Sequence, residues 1–135
     1  MLWFVRSAIV ALFPRVERDG VVIPGAADCG LDEFLKRFKA ETTTLVWLGT
    51  VLGAFVFHFT PLLTIFVPLP AFLLPKGLLD RHAAGITTTS IYLLRQAVFL
   101  VKLPGGLCWG ADPQVRKLIA LPPLGTDPGT WRAAG

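Results

Sequence analysis

The side chains best suited to chemistry in this sequence are two histidines and two cysteines. His58 lies in a long run without formal charge, His82 follows Arg81, and Cys29 and Cys108 form no CxxC pair. A nucleophilic triad sets a histidine beside a carboxylate and a serine, threonine or cysteine, and zinc needs three or four ligands. The sequence shows neither pattern. We expect His58 to be a hydrogen-bonded interior or interface residue and His82 to be a surface residue in a polar hinge.

The cysteines fit a structural role better than a chemical one. We expect Cys29 and Cys108 to be small buried hydrophobic residues, and a disulfide between them would require an exported chain. No GxGxxG follows a strand pattern, and the sequence has no P-loop, CxxCH or EF-hand motif. Asp32 and Glu33 are adjacent carboxylates, but they fit the first turn of a helix, where the helix dipole favours negative charge. We therefore expect no catalytic residue, cofactor or metal in this chain, and no activity of the chain alone.

Composition places the 135-residue chain among proteins that hide apolar surface in a bilayer or a partner. Hydrophobic residues make up 53% and charged residues 16%, against about 25% charged in typical soluble domains. This excludes a disordered or acidic-tail protein. The net charge of +4 comes from residues 42–135, where only Arg116 and Lys117 are adjacent cations. Scattered cations do not suit nucleic acid, and they fit an anionic lipid surface or an acidic partner.

Helical patterns dominate the first 41 residues. Residues 2–13 predict a helix that stops before Pro14. A second helix starts near Leu31 with Asp28 as its cap, and its apolar positions recur at helical spacing. These positions are Leu31, Phe34, Leu35 and Phe38. Val21–Ile23 is the only convincing strand pattern, so the predicted fold class is all-α.

Residues 42–75 form an uncharged apolar run in which we expect contact with a membrane or a partner. Thr42–Thr60 is nearly long enough to cross a bilayer, which takes about 20 residues. Four prolines from Pro61 to Pro75 break the second half. Two alternatives stay open: a true span, or a kinked helix lying in the bilayer interface or against a partner. The predicted contact residues are Trp47, Phe55, Phe57, Phe59 and Phe66.

Two further features of the apolar helices concern packing and charge. Gly49 and Gly53 form a GxxxG pattern, which allows a close helix contact. A second long helix is predicted from Thr87 to Leu103, ended by the Pro-Gly-Gly sequence that follows. Its Arg95 and Lys102 share one face, where they are either solvated or directed at phosphate headgroups or a partner's carboxylates.

The C-terminal region predicts a short helix and then an extended tail. Asp112 is a good N-cap with Pro113 at the first helical position, and this helix runs to about Leu121. We expect residues 1–121 to form a helical accessory domain and residues 122–135 to be an extended tail rich in proline and glycine. The predicted partner-binding residues are Trp109, Asp112, Pro113, Arg116 and Trp131.

The order of these landmarks resembles a known family. They are Leu12-Phe13-Pro14, Phe34-Leu35 and Phe38, Leu45, Leu48 and Gly49, Asp80-Arg81, Tyr92-Leu93-Leu94-Arg95-Gln96 with Lys102, Trp109, Asp112-Pro113 and Arg116-Lys117-Leu118-Ile119-Ala120-Leu121-Pro122. The order resembles the small helical domain that precedes the flavin domain of long-chain fatty alcohol oxidases. It is also similar to the separate small subunit of gluconate 2-dehydrogenase-type complexes. Both accompany flavoproteins of the glucose-methanol-choline oxidoreductase class.

The resemblance implies a non-catalytic subunit of a flavin-dependent alcohol or sugar dehydrogenase or oxidase. FAD is then expected in a larger partner chain and not in this one. The sequence shows no twin-arginine pair like that of the exported subunits, and we expect no conventional signal peptide. We therefore expect a free-standing, membrane-associated subunit on the cytoplasmic face. The alternative is a membrane-embedded or monotopic subunit of another multi-subunit membrane complex.

Overall fold

The fold is built almost entirely from helices. The computed structural model of the protein describes residues 2–119. The helices in this part of the chain are α1 (Leu2–Leu12), α2 (Leu31–Glu41), α3 (Thr44–Phe59), α4 (Pro61–Ile65), α5 (Lys76–Thr88), α6 (Tyr92–Ala111) and α7 (Pro113–Leu118). The predicted all-α class is confirmed. The predicted tail, residues 122–135, lies outside the described residues.

The core lies between α1, α3 and α6, which pack against one another in all three pairings. Helix α5 contacts α1, α4 and α6, and α2 contacts α1 and α6. The predicted apolar face of α2 is partly correct, since Leu31 and Leu35 are buried while Phe34 and Phe38 are half-buried. The fully buried aliphatic core residues include Val5, Ile9, Leu31, Leu35, Ile86, Val98, Val101 and Val115.

Gly53 allows α3 and α6 to approach closely, as the GxxxG pattern indicates. A Cβ atom at Gly53 would collide with the carbonyl oxygen of Ala97 and lie 3.0 Å from the backbone nitrogen of Val101. Gly49, one turn earlier, has more room: its Cβ would meet only a Leu100 methyl at 3.5 Å. The close contact of α3 with α6 therefore depends on Gly53 and not on Gly49.

Helix α6 continues through Pro104 to Ala111, so the predicted stop at Leu103 is wrong. A proline inside a helix removes one N–H···O bond and normally bends or breaks it. Here Pro104 and Gly105 are both buried, and Gly105 packs against Ile9 of α1 and against Phe13. A Cβ atom at Gly105 would lie 2.8 Å from the Ile9 side chain and 2.9 Å from the Phe13 ring. Tertiary packing on these small residues therefore holds the helix together.

A small hairpin precedes α2. Strand β1 (Val16–Arg18) pairs antiparallel with β2 (Val21–Ile23), with Arg18 opposite Val21. The two residues between the strands, Asp19 and Gly20, have φ values of 53° and 76°, as a two-residue type I′ hairpin turn requires. The sequence pattern identified β2 alone and missed its partner.

The start of α2 differs from the prediction. Its N-cap is Gly30, in the left-handed region with φ 67°, and no side chain caps the helix. The Asp28 carboxylate instead accepts a hydrogen bond from the Gly25 backbone N–H at 3.0 Å. Asp28 ends a short 3-10 turn, Ala26–Asp28, which lies between the hairpin and α2. The Asp28 side chain therefore stabilises this 3-10 turn instead of capping α2, the role that the sequence pattern predicts for it.

Candidate functional site

One face of α3 is apolar and exposed to solvent. Its residues recur three and four positions apart, which places them along one side of a helix. They are Leu45, Leu48, Leu52, Phe55 and Phe59, with exposed fractions between 50% and 80%. The opposite face, which includes Gly53 and Phe57, is buried against α1 and α6. The core therefore uses one side of a helix that is apolar all round.

Helix α6 carries a second exposed apolar row. Leu93, Leu100 and Leu107 recur every seven residues and are 76%, 41% and 54% exposed, and Phe99 and Leu103 lie beside them. A Leu100 methyl lies 3.5 Å from the point where a Gly49 Cβ would stand on α3. The two rows therefore adjoin, and together we call them the α3–α6 apolar face.

Aromatic rings join this face to the N-terminal helix. The Phe55 and Phe59 centroids are 4.6 Å apart, Phe59 lies 6.3 Å from Phe72, and Phe72 lies 5.9 Å from Trp3. These four side chains are between 40% and 61% exposed. Rings at these separations attract one another beyond simple burial. Sequence reasoning missed both Trp3 and Phe72. Trp3 lies in the apolar helical pattern of residues 2–13, and Phe72 lies in an apolar segment between two prolines.

Phe66, at the end of α4, is the most exposed of the predicted contact residues. It is 84% exposed and has a φ of 59°, a left-handed conformation that is unusual for a bulky side chain. Leu62 and Leu63, earlier in the same helix, are 53% and 58% exposed. The segment after α3 thus presents apolar side chains outward.

Phe57 does not belong to this surface, and its prediction as a contact residue is wrong. Its side chain is fully buried and packs against the rings of His58 and His82. Phe57 lies two residues from Phe55 and Phe59, so the helical repeat points it to the opposite side of α3. Trp47 is half-buried, with the Lys39 ammonium 5.8 Å from its ring centroid.

The two predicted cations of α6 are exposed. The Arg95 guanidinium lies over the Tyr92 ring at 5.9 Å and donates to the Thr89 carbonyl oxygen at 3.3 Å. Lys102 borders a small hollow that also contains Asp80. The two cations lie seven residues apart on one continuous helix, on the same face as predicted, with different neighbours.

The predicted partner-binding turn after α6 satisfies much of its polar surface internally. The Trp109 indole donates to the Pro24 carbonyl oxygen at 2.8 Å, and Arg116 donates to the Gly110 carbonyl oxygen at 2.9 Å. Asp112 accepts from two backbone N–H groups at 3.0 and 3.1 Å and caps α7, as predicted. Pro113 is exposed at the first helical position, and α7 ends at Leu118 instead of Leu121. Trp131 lies outside the described residues.

His82 is buried, so its prediction as a surface residue is wrong. Its Nε2 lies 2.6 Å from the Phe57 carbonyl oxygen and its Nδ1 lies 2.5 Å from the Thr64 hydroxyl. Burial lowers the pKa of His82 below 6.5. The sequence neighbours Asp80 and Arg81 are charged and exposed, and they hid the fact that His82 occupies the inner face of α5.

His58 is the interior histidine that the sequence predicts. Its Nε2 lies 3.0 Å from the Phe4 carbonyl oxygen and 2.9 Å from the Ser7 hydroxyl. Burial lowers its pKa below 6.5. Since a carbonyl oxygen only accepts, Nε2 carries the proton and cannot take one from Ser7. The other ring nitrogen, Nδ1, is buried without a partner among the described residues. Ser7 and His58 therefore form a structural contact and not an activated nucleophile.

The two cysteines lie close in space but are free thiols. The Cys108 thiol donates to the Cys29 carbonyl oxygen at 3.4 Å, and the Cys29 thiol donates to the Gly25 carbonyl oxygen at 3.3 Å. Burial and the nearby Asp112 carboxylate raise the pKa of Cys29 to about 12. Burial likewise raises the pKa of Cys108. Both thiols are protonated at neutral pH, which makes them poor nucleophiles.

Metal and membrane geometry can be stated for the described residues only. Within residues 2–119, no three His, Cys, Asp or Glu side chains are grouped so that they could hold a metal ion. In the same range, no single helix is both long and apolar enough to cross a bilayer. Helices α5 and α6 reach the necessary length and apolarity only as a pair, and they are bent by 114°.

Comparison with protein-family models, with curated proteins and with solved structures finds no match to this chain.

Proposed function

We propose that the chain is a non-catalytic accessory subunit that covers a larger flavin-dependent alcohol or sugar dehydrogenase or oxidase. The observation that supports this proposal is the α3–α6 apolar face. Of the twenty-four large hydrophobic side chains that are exposed in the described part of the chain, ten belong to this face. Contiguous apolar patches beyond a few hundred Å² are rare on soluble monomers and mark interaction sites. A protein of this size that left the face uncovered would tend to aggregate.

The groups that could react are held in structural roles, which favours an accessory function. His58 and His82 keep their protons on the nitrogens that donate to backbone carbonyl oxygens. Cys29 is protonated at neutral pH because burial raises its pKa to about 12. In the proposed complex the flavin is bound by the larger chain, and the redox chemistry takes place there. The identity of the partner rests on the resemblance of the sequence landmarks.

The partner interface would consist of the α3–α6 apolar face and the tail. Leu48 and Leu52 lie in the middle of the exposed row on α3 and contribute no buried core contact there. The turn between Trp109 and Arg116 is fixed by its internal hydrogen bonds, so it can set the direction in which the tail leaves the domain. In this proposal Trp131 anchors the tail in a pocket of the partner.

A second candidate is a membrane-embedded or monotopic subunit of another complex. The exposed side chains of Trp3, Phe55, Phe59 and Phe72 favour it, because helices that lie in a membrane interface carry Trp, Phe and Leu on their apolar face. The bent pair of α5 and α6 is compatible with it as well. Both candidates put the protein at a membrane surface, and they differ in whether a flavoprotein accompanies it.

Purification of the tagged full-length chain from its native host tests the proposal. We expect a larger chain with stoichiometric flavin absorbance to elute with it, and the Leu48→Gln/Leu52→Gln variant to lose that absorbance. Lys117→Gln, an exposed change on α7, is the matched control. Deletion of residues 124–135 should weaken the flavin signal without changing the helical circular dichroism. Recovery of a membrane complex without flavin would contradict the proposal and support the second candidate.

A further inference from the structure

A cleft lies between α1, the 3-10 turn Ala71–Leu73 and the start of α5. Its volume is about 430 Å³, within the range of small-molecule sites. Apolar side chains make up much of its wall, including Trp3, Val10, Phe72 and Leu74. A wall of this composition suits a hydrocarbon chain, because burying apolar surface is favourable and requires no hydrogen-bond partner.

Three cations line the same cleft: Arg6, Arg15 and Lys76. The Nε atom of Arg6 donates to Asp32 at 2.8 Å, and its two terminal nitrogens make no hydrogen bond to a described residue. The Nη1 atom of Arg15 is 3.7 Å from Asp28, a loose ion pair. Lys76 forms no ion pair within the described part of the chain. An anion in the cleft therefore finds cationic donors that are not already satisfied.

Two carboxylates outside the lining, Asp32 and Asp28, pair with Arg6 and Arg15, so Lys76 is the cation of the cleft that lacks an ion pair among the described residues. Asp80 lies one helical turn after Lys76 and is the single carboxylate in the lining, against three cations. Lys76 is also the first residue of α5, and no side chain caps that helix. The free N–H groups of its first turn add a partial positive charge. A neutral apolar ligand would leave these groups unused.

We propose that this cleft binds a single-chain amphiphile with an anionic headgroup. The hydrocarbon chain lies against the apolar wall that includes Trp3 and Phe72, and the headgroup pairs with Lys76 and Arg6. The apolar wall of the cleft adjoins the α3–α6 apolar face through the Phe59 and Phe72 rings, 6.3 Å apart, but its cations lie on α1, after α1 and on α5, so the assignment does not depend on which protein the chain accompanies. An acyl carboxylate and a lipid phosphate share this chemistry, and the experiment distinguishes them.

Photo-crosslinking of the full-length chain in dodecyl maltoside tests the site. The probe is a long-chain fatty acid that carries a diazirine, and labelled residues are mapped by mass spectrometry. We expect saturable labelling of α1 and of residues 71–79. Excess dodecanoate or dodecyl phosphate should compete, and the stronger competitor identifies the headgroup. Dodecanol, which has the same chain without charge, should compete poorly.

Charge variants separate binding from partition into the micelle. Lys76→Glu should reduce cleft labelling about thirtyfold, because it removes an attraction and adds a repulsion of about 1 kcal/mol each at close range. Lys117→Glu on α7 should leave labelling unchanged, and equal helical circular dichroism of both variants shows that they fold. The proposal is wrong if labelling does not saturate, if it is confined to α3 and α6, or if dodecanol competes as well as dodecanoate.

Discussion

The Nε2 atom of His82 on α5 lies 2.6 Å from the carbonyl oxygen of Phe57 on α3, at a point that solvent does not reach. Because the carbonyl oxygen accepts, this nitrogen carries the ring proton and Nδ1 accepts from Thr64. The neutral imidazole thus joins α5 to α3 and α4. His58 makes a comparable bond to the Phe4 carbonyl oxygen of α1. Two uncharged histidines are therefore part of the packing.

The free energy of unfolding should decrease as the pH falls below 6.5. Burial lowers the pKa of His58 and His82 below 6.5, so the unfolded chain takes up these protons at a higher pH than the folded chain does. The stability that the two neutral histidines contribute is fully present well above pH 6.5 and is lost below it. The free energy of unfolding then falls by no more than about 1.4 kcal/mol per pH unit for each histidine. Urea unfolding in a mild non-ionic detergent between pH 8 and 5.5 measures this. His82→Gln should give a shallower slope, and a flat profile for the native chain would contradict the prediction.

Gly53→Ala should destabilise the protein by about 1–3 kcal/mol through overpacking. The added methyl collides with the Ala97 carbonyl oxygen and approaches the Val101 backbone, so the two helices must separate. Gly49→Ala is the matched control, because its methyl meets only a Leu100 side chain at ordinary contact distance. Alanine also has the higher helix propensity. Thermal unfolding should show a lower Tm for Gly53→Ala only, and equal effects would count against the close contact.

Asp112→Ala should cost about 1 kcal/mol of stability through loss of the cap of α7. The carboxylate accepts from the backbone N–H groups of Gln114 and Val115, which would then lose their acceptor. Asp112→Asn keeps a side-chain oxygen in place and should be close to neutral. Urea unfolding compares the three proteins. Equal loss for alanine and asparagine would show that the negative charge, and not the cap, stabilises this turn.

Truncation of Phe57 should reduce stability, whereas truncation of Phe59 should reduce binding to a membrane or partner. Phe57→Ala leaves a cavity in the core and should cost about 3–5 kcal/mol. Phe59→Ala removes a half-exposed ring and should change stability much less, since Phe59 is 50% exposed. Phe59→Ala should instead reduce sedimentation with membranes or capture of the partner. Thermal unfolding and a vesicle sedimentation assay check both halves, and a large stability loss at Phe59 would overturn the distinction.

Cys29 should resist thiol reagents in the folded protein. Its pKa of about 12, against an ordinary 9.0, lowers the thiolate fraction at pH 8 roughly a hundredfold or more. Labelling with iodoacetamide, followed by mass spectrometry, should modify Cys29 much more slowly in the folded chain than in urea. Rapid labelling of the folded chain at this position would show that the thiol is not held as described.

Local signals in the sequence were sufficient for several elements. Pro14 limits α1, and Asp112 with Pro113 starts α7, because both effects act within one turn of the backbone. The GxxxG pattern indicated a close contact, although only Gly53 makes it. The pair Asp19-Gly20 is an equally local signal for a hairpin turn. Fold class and the positions of α1, α2 and α7 therefore follow from composition, periodicity and turn chemistry. The predicted polar hinge at Asp80-Arg81 and the predicted helix start at Thr87 are wrong, because α5 spans Lys76–Thr88 and α6 begins at Tyr92.

Tertiary structure decided which side of each apolar helix faces inward. Helix α3 is apolar all round, so its hydrophobic pattern cannot distinguish the buried Phe57 from the exposed Phe59. The same holds for His82, whose burial depends on helices distant in sequence, and for Pro104, where α6 continues through a local helix breaker whose neighbour Gly105 packs on α1. The cleft lined by Trp3, Phe72 and Lys76 likewise exists only once three segments meet. Sequence determines what each segment can form alone, and long-range packing selects which surfaces are buried, because burial is a property of the segments together.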